Sequence, residues 1–329
     1  MSQGGTDPAG VPGSTFDSGL EGQGSICPDG HPGSVEECLT ATPAPSPAAA
    51  GLVFWVKGDA GLVPSSDGLR LLTWANSAIP SFNPGLVSAG ADGIHGPAVG
   101  LATIDGIPCV SYSHTDPGAY YLVQLGAAQL WKDRTGTLFG YGAGETQPRT
   151  TFSVVRPVFS PTIFNIVGGT LLRFGNTPTG GPQDFETLFD LEPLTDPNAW
   201  FLFSNNWRNG FAAALQGPHT PGGAGGPYSG VPVVVQHSSS GFNNITVRVN
   251  GQLVALTPNV MEPPDGGHPI ALYAVYGAVD QAGDVNGQWH GDRCEDLIYD
   301  VDLESTPAAL TQTWAYLASR YPSAPIVVP

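Results

Sequence analysis

The acidic stretch Asp300-Val301-Asp302-Leu303-Glu304 is the first candidate for chemistry, because its three carboxylates occupy alternate positions. Alternate side chains of a β-strand point to one face, so an extended chain here would line a cleft with acidic groups. Glycosidases place two carboxylates across a sugar bond, one as nucleophile or base and the other as acid. A glycoside hydrolase is therefore one hypothesis, and a polar strand end before a helix is the interpretation we favour.

A second candidate is a calcium site in the Gly-containing loop around residue 285. Asp280, Asp284, Asn286 and Asp292 offer the hard oxygen ligands that calcium prefers. The loop does not fit an EF-hand, because Gly287 falls in the wrong register. We expect a solvated acidic loop, and the chain is expected to need no cofactor unless calcium binds here.

A third candidate is a sugar-binding rim built from loop aromatic residues. Such sites stack a sugar ring on an aromatic side chain and bind its hydroxyl groups with Asn, Asp and Gln. Trp55, Trp74 and Trp314 are expected in the core instead. Packing beneath a long loop is the alternative for each rim aromatic. The rim residues are Asn205, Asn206, Trp207, Arg208, Tyr228, Gln288 and Trp289.

Charge and missing motifs exclude several classes of protein. The chain carries 11 Lys and Arg against 28 Asp and Glu, a net charge of −17. Phosphate binding needs clustered cations, so we expect no nucleic acid partner, and a polybasic membrane anchor is absent. No apolar run approaches the roughly 20 residues of a membrane helix, so no membrane insertion is expected. The sequence also has no P-loop, no zinc-protease motif and no serine-hydrolase elbow.

The elements that must position these residues are short strands. The sequence has 45 Gly and 32 Pro in 329 residues, which disfavours long helices and favours turns. Asn250-Gly251 between alternating strands predicts a type I′ hairpin, and Gly168-Gly169 suggests another. Strands are predicted at 52–59, 69–76, 107–114, 119–125, 151–158, 170–176, 198–207, 231–239, 245–256, 270–277 and 294–303.

One helix is predicted near the end of the chain. Pro307 suits a first helical position, and Ser305 or Thr306 can cap it. Leu310 and Trp314 recur at helical spacing and continue at Leu317, which gives one apolar stripe to pack on the sheets.

The first 50 residues differ in composition from the rest. They hold six acidic residues and no Lys or Arg, and residues 41–50 read ATPAPSPAAA, a semi-rigid spacer. We divide the chain into an arm and linker at 1–50, either disordered or docked on a partner subunit, and one domain at 51–329. The sequence shows no export signal. Four cysteines allow three pairings, and Cys27 with Cys38 would close a short loop.

The order of motifs in the domain resembles the concanavalin A-like lectin/glucanase superfamily, in its laminin-G-like bacterial and phage branch. The opening strand LVFWVKGDAG at 52–61 and the segment LLTWANSA at 71–78 match family patterns. GIPCVSYS at 106–113 and TFSVVRPV at 151–158 follow in the family's order. The end, CEDLIYDVDLESTPAALTQTWAYLASRY at 294–321, is similar to a noncatalytic family ending.

The resemblance, which covers about residues 51–321, implies a two-sheet antiparallel jelly-roll sandwich. The fold class that we predict is therefore all-β, with a C-terminal amphipathic helix and, from the composition of residues 1–50, an extended N-terminal arm. The resemblance also implies that Cys109 lies near Cys294, so we predict a disulfide between them. A second disulfide is predicted between Cys27 and Cys38. Laminarinase-like relatives place catalytic acids in a strand similar to 300–304, which keeps a glycoside hydrolase as an alternative.

We therefore predict a non-enzymatic recognition or structural module on an extracellular or virion surface. Its expected partners are a surface glycan, or neighbouring protein subunits contacted through residues 1–50. A purely structural phage decoration or tail subunit without a ligand is the remaining alternative.

Overall fold

The computed structural model describes residues 45–88, 96–112, 133–136, 148–158, 230–241, 244–254 and 289–329. It also describes the backbone of the strands at 25–26, 32–33, 122–124, 168–175, 183–190, 201–205, 214–216 and 273–276. Contacts divide the chain into two compact units, Met1–Pro45 and Ser46–Pro329.

Nearly all regular structure is β-strand, as predicted. In chain order the strands are β1 (Ser25–Ile26), β2 (Pro32–Gly33), β3 (Leu52–Lys57), β4 (Leu62–Pro64), β5 (Leu71–Ala75), β6 (Gly85–Ser88), β7 (Ala98–Ile104), β8 (Ile107–Tyr112), β9 (Leu122–Gln124), β10 (Arg149–Pro157), β11 (Gly168–Gly175), β12 (Gln183–Asp190), β13 (Phe201–Asn205), β14 (Ala214–Gln216), β15 (Val233–Gly241), β16 (Asn244–Val249), β17 (Gln252–Leu253), β18 (Tyr273–Tyr276) and β19 (Gly291–Tyr299). Strands β1 and β2 pair within the first unit.

Two antiparallel sheets make up the second unit. The first sheet runs β17-β16-β15-β10-β19-β8-β7, with β3 also paired to β19. The second sheet runs β14-β13-β12-β11-β18-β9-β6-β5-β4. The predicted class, an all-β two-sheet sandwich with a C-terminal helix, is confirmed. The strands without a counterpart among those predicted are β1, β2, β4, β6, β7, β12 and β14.

The helix α1 (Pro307–Arg320) packs on one face of the first sheet, which we call the outer face. Leu310, Trp314 and Leu317 are buried there, so the predicted stripe is confirmed. Thr306, one of the two predicted caps, occupies the N-cap position. Its hydroxyl does not cap a helical N–H but donates to the Leu303 carbonyl at 3.3 Å.

The opposite, inner face of the first sheet lies against the second sheet. The Trp74 indole in β5 donates a 3.0 Å hydrogen bond to the Lys57 carbonyl, and the Asn76 amide donates to the Val53 carbonyl at 3.1 Å. Strand β19 is buried along its whole length because the helix covers one face and the second sheet the other. Trp74 and Trp314 are core residues as predicted, and Trp55 is half-buried at the edge of the core.

Two turn predictions have opposite outcomes. Asn250 and Gly251 both have positive φ, 51° and 80°, as a type I′ hairpin requires, so this prediction is confirmed. The Gly168-Gly169 hairpin is wrong, because both residues lie inside strand β11 and pair with β12. A glycine pair has no side chain to clash and takes strand geometry as readily as turn geometry.

The disulfide Cys109–Cys294 is confirmed and joins β8 to β19, with a Cα–Cα distance of 4.2 Å. Cys27 and Cys38 lie outside the described residues, so their pairing stays a prediction. In the part of the chain that is described, no helix is long and apolar enough to cross a membrane.

Candidate functional site

Four strand termini of the first sheet meet at one end of the sandwich. Strands β8 and β10 end there, and β15 and β19 begin there. The Val158 N–H donates to the His290 carbonyl at 3.1 Å, and the Gly230 N–H donates to the Pro157 carbonyl at 2.7 Å. These bonds hold Gly230 and His290 against the end of β10. We call this region, with Tyr112 and Trp289 at its base, the strand-end site.

Two buried donors lie at the base of the strand-end site. Tyr112 is 2% exposed and stands directly opposite Gly291 on the inner face, and Trp289 is 0% exposed and two residues before Gly291. Among the described residues, neither the Tyr112 hydroxyl nor the Trp289 Nε1 has an acceptor for its proton. The one group beside the Tyr112 hydroxyl is the Arg293 guanidinium, which is itself a donor. Burial raises the pKa of Tyr112, so its proton stays in place as a donor. Both groups therefore call for an oxygen acceptor.

Trp289 corrects one prediction. As a rim residue it was expected to expose its ring for stacking, but the ring is fully buried. It is followed at once by β19, whose first residues lie between β8 and β10. What it can present to a ligand is its N–H group, not an aromatic face.

An ion pair lies beside these donors on the inner face. Arg293 and Asp296 are 0% and 1% exposed, and the Arg293 Nε lies 2.7 Å from the Asp296 carboxylate. The Ser153 hydroxyl also donates to Asp296 at 2.6 Å. Burial raises the pKa of Asp296 to about 6, although Arg293 and Ser153 act in the opposite direction. Farther along the same face, burial and then Arg149 hold the pKa of His237 well below its usual value, so His237 is neutral.

The predicted calcium ligand Asp292 is engaged in the fold. It lies in β19 rather than in a loop, and the Arg156 guanidinium donates to it through Nε at 2.8 Å and Nη2 at 2.6 Å. Ser111 donates to its other oxygen at 2.5 Å. Asp292 is thus unsuited to the predicted site, because its charge is already neutralised.

The other proposed calcium ligands, Asp280, Asp284 and Asn286, lie outside the described residues, and calcium there stays a prediction. Elsewhere, within the described ranges, no group of three or more His, Cys, Asp or Glu side chains is arranged to hold a metal.

The three acidic residues of the 300–304 stretch do not share one strand face. Strand β19 ends at Tyr299, so the chain has already left the sheet. Asp300 accepts a 3.0 Å hydrogen bond from the Arg134 backbone N–H and forms an ion pair with its guanidinium at 3.3 Å. Asp302 caps the 3₁₀ turn before the helix by accepting from the Glu304 N–H at 3.1 Å.

Glu304 is bound by the neighbouring strands instead. Arg248 donates to both of its oxygens at 2.8 and 2.9 Å, and the Gln236 amide donates at 2.8 Å. Burial would raise the pKa of Glu304, but the hydrogen bonds from Arg248 and Gln236 outweigh it and lower that pKa. The three carboxylates therefore serve three separate structural contacts, and the alternation that suggested a catalytic strand does not exist here.

Of the remaining rim residues, the structure describes Asn205 alone. Its backbone ends β13 and pairs with Glu186 of β12, at the end of that strand opposite to the pairing of Phe201 with Gln216. Asn206, Trp207, Arg208, Tyr228 and Gln288 lie outside the described residues.

The sequence analysis missed Tyr112, Ser153, Arg293 and Asp296. A usable signal was present, because polar residues alternate with apolar ones in TTFSVVR and charged residues interrupt the apolar context in GDRCEDLIY. In a strand covered on both faces, such residues must be paired inside the protein.

Comparisons with known proteins give likenesses only in structure. No family model and no curated protein sequence matches the chain. The binding domain of Paraclostridial Mosquitocidal Protein 1 is 11% identical at a TM-score of 0.45, over 82% of this chain and 52% of that one. Trypanosoma rangeli sialidase in complex with sialic acid is 15% identical at 0.44, over 90% of this chain and 35% of that one.

A third structure, domain 4 of a GH43 extracellular arabinanase from Geobacillus stearothermophilus in complex with arabinotriose, is 13% identical. Its TM-score is 0.41, over 83% of this chain and 98% of that domain. The chain thus spans about half of the first structure and about a third of the second. With every one of these TM-scores below 0.5, ligand and activity have to be argued from this chain's own residues.

Proposed function

We propose that this protein is a non-enzymatic recognition module that binds a surface glycan at the strand-end site. The observation that carries the proposal is the pair of buried donors, the Tyr112 hydroxyl and the Trp289 N–H, that have no acceptor among the described residues. An unpaired buried donor costs about 1–3 kcal/mol. A saccharide hydroxyl brought between the strand ends supplies the acceptor and recovers that cost on binding.

The surroundings of the two donors suit a polyhydroxylated ligand. Carbohydrate sites combine apolar surface with a few fixed polar groups. Here Val158 and Val231 are exposed where β10 ends and β15 begins, and the Arg293–Asp296 pair is buried in β19. Because Tyr112 and Trp289 are closed to solvent in this conformation, the strand ends must open for the ligand to enter. We therefore expect association slower than that of a preformed open site.

The state of the acidic groups supports binding rather than hydrolysis. A glycosidase needs two carboxylates held about 5–10 Å apart across an accessible bond. Asp300, Asp302 and Glu304 are instead committed to Arg134, a helix cap and Arg248. Nothing in these contacts leaves a pair of carboxylates facing a ligand.

The proposed location is outside the cell or on a virion surface, with residues 1–50 attaching the module to a neighbouring subunit. The buried disulfide Cys109–Cys294 supports an oxidising environment, and the charge of −17 favours a soluble exterior surface. Cross-linking of the full chain to its neighbours through residues 1–50 would test the attachment.

A glycan array probed with the full chain tests the binding function, together with the variants Trp289→Phe and Tyr112→Phe. Both variants should lose at least about tenfold in affinity for any glycan that the wild type binds. Tyr112→Phe should leave the free energy of unfolding nearly unchanged, because it removes only a proton that has no acceptor among the described residues. Trp289→Phe also leaves a cavity in a fully buried place and should lower that free energy, so its affinity is compared under conditions in which the variant is folded.

Tyr299→Phe is the matched control. Its hydroxyl is paired with Thr313 at 3.0 Å on the outer face, so its loss should cost about 1 kcal/mol of stability and leave glycan binding unchanged. An array without binding, or variants that bind like the wild type, would refute the proposal. Release of new reducing ends from a bound glycan would refute its non-enzymatic part.

A further inference from the structure

A half-buried tryptophan on the outer face is held rigidly by a buried acid. The Trp55 Nε1 donates a 2.6 Å hydrogen bond to Glu295, which is completely buried. The Trp55 and Tyr316 rings pack edge to face, with 87° between their planes and 5.9 Å between their centroids. The indole is therefore fixed in orientation before any ligand arrives.

Charged groups beside Trp55 are fixed by the same acid. Arg320, at the end of α1, donates through Nε to Glu295 at 2.8 Å and pairs through Nη2 with Asp59 at 2.7 Å. The side chain of Asp59 is 43% exposed, so it keeps an accessible oxygen face while Arg320 holds it in place. We call Trp55, Lys57, Asp59 and Arg320 the helix-end platform.

Lys57 is a cation of this platform that forms no ion pair with any described residue. Its ammonium lies 4.4 Å from the centre of the Trp55 ring, and in the described part of the chain it forms no salt bridge. In a protein with 28 acidic residues, a lysine placed over an aromatic ring keeps its N–H donors available to an anion. A rigid aromatic surface, an available ammonium, a carboxylate and a guanidinium thus share one small area.

We infer that the helix-end platform is a second binding site, for a saccharide that carries a carboxylate. The sugar carboxylate would bind the Lys57 ammonium, which lies over the Trp55 ring, and its hydroxyl groups would bind Asp59 and Arg320. This site lies on the outer face and uses none of the strand-end residues. It therefore stands independently of the glycan site proposed above.

The two lysines of the sequence, Lys57 and Lys132, make a direct test possible. Reductive methylation with ¹³C-formaldehyde keeps the charge of each lysine and gives one NMR signal for each, separate from that of the N-terminus. The probes are methyl β-D-glucuronide and methyl β-D-glucoside, which differ only in the carboxylate at C6. The full chain is titrated with each probe at constant ionic strength, and with sodium acetate.

We expect the glucuronide to shift the Lys57 signal saturably, and the glucoside to bind at least about tenfold more weakly. Acetate should shift it less than the glucuronide at equal concentration. Equal shifts with acetate would mean adventitious anion binding only and would overturn the inference. So would equal binding of the two glycosides, or no shift of the Lys57 signal.

Variants complete the test. Lys57→Gln should lose glucuronide binding, measured by quenching of tryptophan fluorescence, while Lys57→Arg should retain part of it. Lys132→Gln makes the same change of charge elsewhere and should bind like the wild type; equal loss in both would overturn the inference. Because these readouts do not involve Tyr112 or Trp289, failure here leaves the strand-end proposal untouched.

Discussion

The phenol of Tyr321 donates a 2.6 Å hydrogen bond to the carboxylate of Glu295, and both residues are completely buried. Tyr321 follows the last turn of α1, and Glu295 lies in the middle of the central strand β19. With Trp55, Tyr316 and Arg320 also donating to it, Glu295 has a hydrogen-bond donor for each lone-pair direction. This one side chain fixes how the C-terminal helix sits on the sheet.

Replacing Glu295 by Gln should destabilise the protein by about 3 kcal/mol. The substitution leaves the Arg320 cation without its buried partner and turns an NH₂ group toward donors. Urea unfolding followed by tryptophan fluorescence measures the change. Glu304→Gln is the control, because Glu304 is partly exposed and its loss should cost about 1 kcal/mol. Equal costs for the two variants would contradict this account of the helix contact.

The dependence of stability on pH should contain two opposing contributions from the inner face. The pKa of Asp296 is raised from 3.8 to about 6, so the folded state binds a proton that the unfolded chain has released, and stability falls as pH rises from about 4 to 6. The pKa of His237 is lowered from 6.5, so its contribution is present above pH 6.5 and is lost as pH falls.

Two variants separate these contributions when the free energy of unfolding is measured from pH 4 to 7. Asp296→Asn should remove the fall in the free energy of unfolding between about pH 4 and 6. The stability of this variant relative to wild type should therefore increase as pH rises. His237→Gln should become relatively more stable as pH falls below 6.5. Profiles parallel to the wild type would show that these groups do not titrate as described.

Removing the disulfide should cost about 5 kcal/mol under oxidising conditions. Cys109 and Cys294 are 185 residues apart, and in the chain-entropy model a crosslink of that span restricts the unfolded state strongly. The double variant Cys109→Ala with Cys294→Ala is compared with wild type by guanidinium unfolding. The double variant Cys27→Ala with Cys38→Ala should leave the unfolding of the second unit unchanged. A loss below about 1 kcal/mol at Cys109 and Cys294 would contradict the prediction.

Gly251→Ala should be much more costly than Gly106→Ala, although both glycines have φ near 80°. A Cβ on Gly106 meets no atom within 4 Å, so only the positive φ costs energy, about 1 kcal/mol. A Cβ on Gly251 would lie 1.7 Å from the Val327 carbonyl oxygen, which adds at least about 2 kcal/mol or displaces the C-terminal segment.

Thermal unfolding of both variants, repeated in chains that end at Pro325, tests this explanation. Without Val327 the two substitutions should cost the same. A difference that persists in the shortened chains would place its cause elsewhere than in the C-terminal segment.

Much of the fold could be predicted from local pattern. The apolar stripe of Leu310, Trp314 and Leu317 and the turn at Asn250-Gly251 depend on neighbours only a few residues away, and both are confirmed. Gly168-Gly169 was assigned wrongly, because two glycines are compatible with a turn and with a strand, and only pairing with β12 decides between them.

The candidate sites were less predictable for the same reason. Asp300, Asp302 and Glu304 have the spacing of a catalytic strand, yet β19 ends one residue before them and each finds a different partner. Asp292 has the chemistry of a calcium ligand, but it forms an ion pair with Arg156 on the adjacent strand, which neutralises its charge. Neither segment's sequence reveals which distant residue will pair with its acidic side chains.

The sequence by itself determined the all-β class, the helix and its buried stripe, since these follow from periodicity and turn chemistry. The tertiary structure alone decided which polar side chains bind other parts of the protein and which can still bind a ligand. It paired Arg248 with Glu304 across 56 residues, buried both Trp289 and Tyr112, and placed the Lys57 ammonium over the Trp55 ring, where it forms no ion pair with a described acid. A side chain's availability depends on the partners that strand pairing brings to it, and strand register is set by the whole sandwich.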